Sequence, residues 1–478
     1  MEQYGLDLLE PCEPTEICEV ETFEASCGRG LRTLKQILPG EVVLADKPVL
    51  PPCADADEFA AAASSLWTEL TPEEQMRLMA LRWRSNSAPP AQAGPGLVVP
   101  ATGRLRGIAS FNGMAVVKLV MKPSALKTLE AQPCNGVAVY LNGSMLNHSC
   151  FPTVNRLPFS SCLVVRASRD LFLGEELVCA YTEVRAPFYI RQAELESTWA
   201  FRCCCWRCLL EERVWAAAPE ADRVARSAWR RFERRRKDGT CSEEELRELV
   251  NSTADSTKTA LAEFLVAIQD RTDLLPAEVL QERGFQRYQA ACQCTAADVR
   301  ALDLTGNTPT HKSTDDLLAF YRLLLASFWA APAFELAFGL QESQRYEEAH
   351  QLWLAVRNVT AELLPFSPSH TAAATEASLS AMAAESVAWE EHVQESVRIC
   401  CGTYGSGAWL RLAAGRLEHL ASPTRMGLDG AYGARLEACL EPRDDMQKLA
   451  ELFRSSIGGM RCKLRTAHPG WDCTTVHM

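Results

Sequence analysis

The stretch FRCCCWRC, residues 201–208, brings four cysteines into six positions of the chain. Cys203, Cys205 and Cys208 have the spacing C-x-C-x2-C, which lets a turn bring the sulfurs to one metal ion. A tetrahedral zinc site needs four ligands, so a fourth must lie elsewhere in the sequence. In an extended segment Cys204 points away from its neighbours, and it is predicted not to bind the metal. The alternative is a group of buried, reduced thiols at the end of a helix.

The composition is that of an ordinary globular protein. Of the 478 residues, 47% are hydrophobic and 23% are charged, and a chain of this length is expected to hold two or three domains. The net charge of -12 argues against general affinity for nucleic acid. The acidic N-terminal stretch predicts no secretory signal, and no apolar run is long enough to predict a membrane span. The cysteines are therefore expected to be mostly free thiols in a reducing compartment, cytoplasmic and/or nuclear.

The N-terminal part alternates between strand and helix patterns. Residues 20–50 predict strands broken by turns at Gly28-Arg29-Gly30 and Pro39-Gly40. Residues 56–84 have helical spacing, and Thr71-Pro72-Glu73-Glu74 predicts a helix start with proline at the first position. These patterns indicate a mixed α and β region.

Further along, short strands give way to helices. Residues 134–183 again predict short strands, whereas beyond about residue 212 Ala, Leu, Glu and Arg dominate at helical spacing. Residues 333–365 predict a hairpin of two helices that resembles one tetratricopeptide unit. A break is expected at residues 300–316. The basic run at 226–239 is predicted to be a solvated helix face, with nuclear import or phosphate binding as alternatives.

Three ordered motifs carry a family resemblance: GSMLNHSCFPTVNR (143–156), GEELVCAYT (174–182) and FRCCCWRC. Together they resemble the core signature of a SET-domain protein lysine methyltransferase, and most closely the SET-and-MYND family. Gly28 to Arg32 matches the family's Gly-x-Gly-Leu-Arg segment, and the resemblance covers about residues 20 to 212. One departure concerns residues 51–110, which contain Cys53 as their one cysteine and no histidine. The MYND zinc finger is therefore expected to be absent.

The resemblance implies an α+β fold. It consists of a β-rich SET domain with a pseudoknot-like core and a zinc-bound post-SET segment, followed by an all-α tetratricopeptide-like domain. The implied segments are an N-terminal extension at 1–19, a SET domain at 20–183 with a helical insert at about 56–110, a post-SET zinc segment at 184–212 and a helical domain at 213–478.

The same resemblance implies the metal site and the activity. Cys150 becomes the fourth ligand of one structural zinc ion, together with Cys203, Cys205 and Cys208. The implied cofactor is S-adenosylmethionine, and the implied reaction is transfer of its methyl group to a lysine of a histone or non-histone protein. Such a transfer needs a neutral amine, a straight approach and a dry channel.

Roles are implied residue by residue. Tyr181 is the implied catalytic residue, and Met114 lies with it in the implied substrate channel. Cys27 stands where the family often has a basic residue for the cofactor carboxylate. The residues implied to bind the cofactor are Gly28, Arg29, Gly30, Asn112, Ser144, Leu146, Asn147, His148, Tyr181, Trp199 and Phe201.

Two other functions stay open. The chain could be a catalytically silent scaffold whose helical domain binds partner peptides. It could also resemble the plant Rubisco methyltransferases, which have a SET domain and a helical domain but generally lack the cysteine cluster. The expected partner is a protein substrate, with peptide partners of the helical domain as a further expectation and neither a membrane nor a nucleic acid expected.

Overall fold

The computed structural model describes residues 18–23, 28–82, 99–121, 129–158, 162–270, 274–302, 312–384 and 386–404. The chain divides into two units. The first combines Met1–Asn147, Pro152–Cys179 and Val397–Met478, and the second combines His148–Phe151 and Ala180–Ser396.

Three small sheets make up the β structure of the described residues. Their order is β1-β2-β9-β6, β3-β8-β7 and β4-β5. The strands are β1 (Cys18–Phe23), β2 (Gly28–Thr33), β3 (Val42–Asp46), β4 (Met114–Met121), β5 (Leu129–Ala138), β6 (Asn147–His148), β7 (Val154–Pro158), β8 (Leu163–Ala167) and β9 (Glu176–Cys179).

The predicted turn at Gly28-Arg29-Gly30 is wrong. These residues begin strand β2, which pairs antiparallel with β1 from Cys18 opposite Thr33 to Phe23 opposite Gly28. The pairing with a neighbouring strand holds the two glycines extended, whereas their sequence alone suggests a corner. Cys27 lies outside the described residues. The second predicted turn is confirmed, because Gly40 has φ +86°.

The helical part of the first unit packs around its own apolar core. Its helices are α1 (Ala56–Ser65), α2 (Pro72–Met79) and α3 (Thr102–Asn112), with a 3-10 turn at Trp67–Glu69. The predicted start of α2 is confirmed: the Thr71 hydroxyl accepts from the Glu74 N–H at 3.2 Å and the Glu74 carboxylate accepts from the Thr71 N–H at 2.8 Å. Phe59, Trp67 and Ile108 are buried between these helices.

Helices follow in the rest of the described chain. They are α4 (Phe188–Trp199), α5 (Trp206–Ala217), α6 (Pro219–Asp238), α7 (Glu243–Asp270), α8 (Ala277–Gln281), α9 (Arg283–Gln286), α10 (Ala296–Arg300), α11 (Lys312–Leu325), α12 (Ala330–Glu342), α13 (Tyr346–Leu363), α14 (Pro368–Ala383) and α15 (Trp389–Tyr404). Small sheets followed by a mainly helical region confirm the α+β fold class. The pseudoknot-like threading and the boundaries of the four segments stay predictions.

The helix pair predicted at 333–365 is present as α12 and α13. Phe334 and Phe338 of α12 contact Trp353 of α13 with ring centroids 4.7 and 4.9 Å apart. That these helices are of the tetratricopeptide type stays a prediction. The break expected at 300–316 falls between α10 and α11, and residues 303–311 lie outside the described residues.

Length and hydropathy decide whether one of the described helices could span a membrane. None is by itself both long and apolar enough to cross a bilayer, although α11 and α12, which meet at 88°, satisfy the length and composition criteria when taken as a pair.

Candidate functional site

Four sulfur atoms converge in the second unit. The Sγ atoms of Cys150, Cys203, Cys205 and Cys208 all lie within 4.8 Å of one another. Sulfurs at about 2.3 Å from a central zinc ion stand about 3.8 Å apart in a tetrahedron, so four thiols at these separations fit the ion and are a donor set typical of structural zinc. Cys204 is exposed and lies outside the cluster, as predicted.

Local structure explains the convergence of the sulfurs. Cys150 follows strand β6, and Cys208 lies in the first turn of α5, where the helix end favours a thiolate. Ala200 has φ 54° and ends α4 in a left-handed conformation, which redirects the chain toward Cys203. The Gln192 side chain then fixes Cys203, because it accepts from the Cys203 N–H and donates to the Cys203 carbonyl oxygen, both at 2.9 Å.

The four thiols affect one another's ionisation. Hydrogen bonds from Cys203, Cys205 and Cys208 hold the pKa of the Cys150 thiol well below its ordinary value, and the charge of Arg191 acts in the same direction. Hydrogen bonding to Cys150 raises the pKa of Cys203 and Cys208. The cluster thus shares its protons unequally, and a divalent cation would let all four sulfurs be thiolates.

An aromatic group packs against the sulfur cluster in the same unit. Tyr181, Trp199 and Phe201 are all partly buried there. The Tyr181 ring centroid lies 5.4 Å from that of Trp199, 6.5 Å from that of Phe201 and 5.3 Å from that of His148. Partly exposed rings of this kind offer flat apolar surfaces on which a nucleobase can stack.

His148 connects Tyr181 with Cys150. The Tyr181 backbone N–H donates to His148 Nδ1 at 3.0 Å, and His148 Nε2 lies 3.3 Å from Cys150 Sγ. Because Nδ1 accepts, Nε2 carries the proton of the neutral ring and donates to the sulfur. The backbone of the predicted catalytic tyrosine therefore sets the tautomer of His148.

Asn147, in the first unit, uses its side-chain amide within the protein. Its Nδ2 donates to the Arg29 carbonyl oxygen at 3.2 Å and to Glu176 Oε1 at 2.8 Å. The Arg29 guanidinium in turn donates to the Ala80 carbonyl oxygen at 2.6 Å. Asn147 thus braces strands β2 and β9.

Asn112 and Met114 lie on either side of the end of α3. The Asn112 Nδ2 donates to the carbonyl oxygens of Arg82 and Ile108, at 2.7 and 2.8 Å. Both amide hydrogens are therefore used, and the side-chain oxygen is the group that can accept from a ligand. Met114 begins β4 and is buried.

Ser144 lies in a 3-10 turn at Gly143–Met145, and Leu146 is the residue that ends this turn. Their backbone N–H groups donate to the carbonyl oxygens of Tyr140 at 2.8 Å and of Gly143 at 3.3 Å. Asp46 supports the turn by accepting from the Gly143 N–H at 2.9 Å. The Ser144 hydroxyl is buried and has no hydrogen-bond partner among the described residues, so it is a polar atom that a ligand would satisfy.

A buried ionic network went undetected in the sequence. The side chains of Arg191, Arg207 and Glu211 are fully buried. Glu211 accepts from Arg191 Nη2 at 2.6 Å and from Arg207 Nε at 2.7 Å. The i, i+4 spacing of Arg207 and Glu211 was a visible signal, but this spacing is typical of exposed pairs on helices.

Comparisons with known proteins bear on the same region. Residues 28–182 match the SET domain family model. The histone-lysine N-methyltransferase SMYD3 of Homo sapiens is 31% identical over 99 residues, which is 21% of this chain and 23% of the relative. The histone-lysine N-methyltransferase SET5 of Yarrowia lipolytica is 40% identical over 77 residues, 16% of this chain and 18% of the relative. A SET and MYND domain-containing protein of Dictyostelium discoideum is 32% identical over 81 residues, 16% of each chain.

The chain matches less than a quarter of the length of each of these relatives. Within that limit the match identifies a SET domain at residues 28–182. The matched region is similar to SET proteins that include the SET-and-MYND type, in agreement with the resemblance carried by the three motifs.

Proposed function

We propose that this chain is an S-adenosylmethionine-dependent protein-lysine N-methyltransferase that acts on a histone or non-histone protein. The observation that carries the proposal is the position of Tyr181, whose ring lies among those of His148, Trp199 and Phe201, beside the four-sulfur cluster. The SET domain match and the methyltransferase names of the relatives support it.

The chemistry of the proposed binding residues supports S-adenosylmethionine as the cofactor. When bound, S-adenosylmethionine supplies an electrophilic methyl group on a sulfonium sulfur. We assign the rings of Trp199 and Phe201 to its adenine, because flat, partly exposed rings suit stacking. The side-chain oxygen of Asn112 suits its ammonium group, and the buried Ser144 hydroxyl suits a further polar group. Gly28, Arg29, Gly30, Leu146, Asn147 and His148 complete the proposed binding residues.

Tyr181 is the proposed catalytic residue. Its phenol orients the lysine amine, and the neighbouring rings exclude water, so that the amine reacts neutral and desolvated. Its backbone N–H is already committed to His148, which holds the residue in place. Met114 is the proposed second wall of the lysine channel, where a flexible thioether adapts to the substrate.

The proposed zinc ion is structural. Four cysteine ligands leave no open coordination position, so the metal takes no part in the chemistry. Its role is to tie the segment at 203–208 to Cys150, and by doing so to hold Phe201 next to Tyr181 and His148. Chain entropy opposes this closure in the absence of the metal.

The test is methyl transfer by the purified chain. With labelled S-adenosylmethionine and a panel of proteins, we expect transfer to lysine, and we expect Tyr181→Phe to reduce its rate by about 100-fold or more, the scale of one positioned polar group at a reacting centre. Tyr346→Phe, at the start of α13, is the matched control and should keep the native rate. Undiminished transfer by Tyr181→Phe would exclude the proposed role.

A silent scaffold is the second candidate. It is favoured by the side-chain amides of Asn112 and Asn147, whose hydrogens are already bound within the protein. In this case the helical region, tetratricopeptide-like by its sequence pattern, binds partner peptides. Calorimetric titration with S-adenosylmethionine separates the two, since an enzyme gives a saturable heat and a scaffold does not.

A further inference from the structure

Arg191 is a fully buried cation on helix α4, beside the sulfur cluster. The exposed fraction of its side chain is 0%. A buried guanidinium is costly unless its hydrogen-bonding groups are satisfied and its charge is compensated. The groups that bind its N–H donors and balance its charge therefore need to be identified.

All five N–H groups of Arg191 have partners within the second unit. Nε donates to Cys150 Sγ at 3.2 Å. Nη1 donates to the Ala186 carbonyl oxygen at 2.6 Å and to Ser327 Oγ at 3.3 Å. Nη2 donates to Glu211 Oε2 at 2.6 Å and faces Cys208 Sγ at 3.8 Å. Two of the four cluster sulfurs thus receive an N–H of the same guanidinium.

The charges of the network do not balance without the sulfurs. Arg207 is also fully buried and donates to Glu211 Oε1 at 2.7 Å, so one carboxylate faces two guanidinium groups. Ser327, which donates to the same carboxylate at 2.9 Å, is neutral. One positive charge is left in excess, and it lies against Cys150. A set of four thiolates around one divalent cation has two negative charges in excess, so the two charge imbalances oppose each other.

Cys150 accepts a second N–H from His148. His148 Nε2 lies 3.3 Å from the sulfur and carries a proton, because Nδ1 accepts from the Tyr181 backbone at 3.0 Å. Two N–H donors on one thiolate withdraw electron density from the sulfur and fix its direction, as outer-shell groups do at metal sites.

We propose that Arg191 is an outer-shell residue of the four-cysteine site: its Nε–H holds the Cys150 thiolate, and its charge raises the affinity of the site for zinc. The proposal rests on the zinc site of the proposed function. It assigns to the buried Arg191–Glu211–Arg207 network a role in metal binding, beyond stabilising the fold.

The test compares metal binding by five variants. Zn²⁺ affinity is measured by competition with a chromophoric chelator, and the metal-site environment by the thiolate-to-metal charge-transfer bands of the Co²⁺-substituted protein. Arg191→Met removes the charge and the donor, and Arg191→Lys keeps the charge alone. The double variant Arg191→Met, Glu211→Gln removes one charge of each sign, so that the remaining buried charge equals that of the native network. Arg202→Met removes an exposed arginine that pairs with Glu212 and is the control.

We expect Arg191→Met and the double variant to bind Zn²⁺ about 10- to 100-fold more weakly than the native chain, the usual effect of losing an outer-shell partner. Their Co²⁺ bands should move to longer wavelength, because a thiolate without its N–H donor gives up charge more easily. Arg191→Lys should lie between them and the native chain, and Arg202→Met should match the native chain.

Glu211→Gln separates this role from a purely structural one. It leaves the Arg191 guanidinium next to the sulfurs and the Arg207 guanidinium on the Cys150 carbonyl oxygen, so the chain should become less stable while Zn²⁺ affinity stays the same or rises. Equal Zn²⁺ affinity and unshifted Co²⁺ bands in the native chain, Arg191→Met and the double variant would overturn the proposal. A native chain that binds no Zn²⁺ would instead refute the zinc site itself.

Discussion

The turn that carries Ser144 has no room for a side chain at Gly143. A Cβ at this position would overlap Leu163 Cδ2 and would lie 3.2 Å from Tyr140 Cβ and 3.5 Å from Met114 Cε. Because Leu163 is fully buried, it has little room to move. The turn approaches the sheet this closely because glycine has no side chain.

Gly143→Ala is therefore expected to destabilise the chain by about 1–3 kcal/mol, as overpacking does in a filled core. Urea unfolding measures the change. The control is Gly339→Ala in α12, where an added Cβ meets no atom within 4 Å and should stabilise the chain by about 0.5–1 kcal/mol. Equal stability of Gly143→Ala and the native chain would show that the close approach imposes no constraint.

The cysteines of the site could be predicted from the sequence, whereas Arg191 could not. Cys203, Cys205 and Cys208 are indicated by their spacing, and Cys150 could be added through the family resemblance. Arg191 gives no such signal, since an arginine in a helix is ordinarily exposed. Its role depends on a sulfur 41 positions away, and only the folded chain brings the two together.

At the scale of elements, helices α13, α14 and α15 pack around two histidines. His350 of α13 contacts His392 of α15 with ring centroids 4.8 Å apart, and His350 Nδ1 lies 3.0 Å from the Ala377 carbonyl oxygen of α14. Burial, together with the charge of His350, lowers the pKa of His392 to about 4. Burial also lowers the pKa of His350. Near neutral pH the contact between α13 and α15 is therefore made by two uncharged histidine rings.

This contact predicts a pH dependence of stability. The pKa of His392 in the folded chain lies below its unfolded value of about 6.5, so the unfolded chain binds more protons. Its contribution to stability is present above about pH 6.5 and is lost as the pH falls toward 4. Urea midpoints at pH 7 and pH 4.5 should therefore differ less in His392→Gln than in the native chain. An identical difference in both would contradict the assignment.

An element could be predicted from the sequence where the interactions that form it lie within a few neighbouring residues. The start of α2 was predictable because Thr71 and Glu74 cap each other within one turn. Strand β2 was not, because Gly28 to Gly30 are held extended by β1 and Leu31 by β9. A strand depends on partners that sequence spacing does not identify, whereas a cap is complete within four residues.

Over the whole molecule, two distant stretches of the chain meet in the second unit. Cys150 and the segment at 203–208 are separated by β7, β8, β9 and α4 along the chain, yet their sulfurs form one cluster. The proposed metal would join them and so offset the chain entropy that opposes closure of this long loop. It would also hold Phe201 beside Tyr181, which would link the stability of the fold to the proposed chemistry.

The four-cysteine zinc site is tested most directly by elemental analysis of the purified chain, with Cys150→Ser and Cys204→Ser measured in parallel. We expect about one zinc per native chain, one in Cys204→Ser, and a strong loss in Cys150→Ser with a lower melting temperature. The absence of zinc from the native chain would favour the Rubisco methyltransferase-like alternative. Full zinc retention in Cys150→Ser would contradict the four-sulfur site.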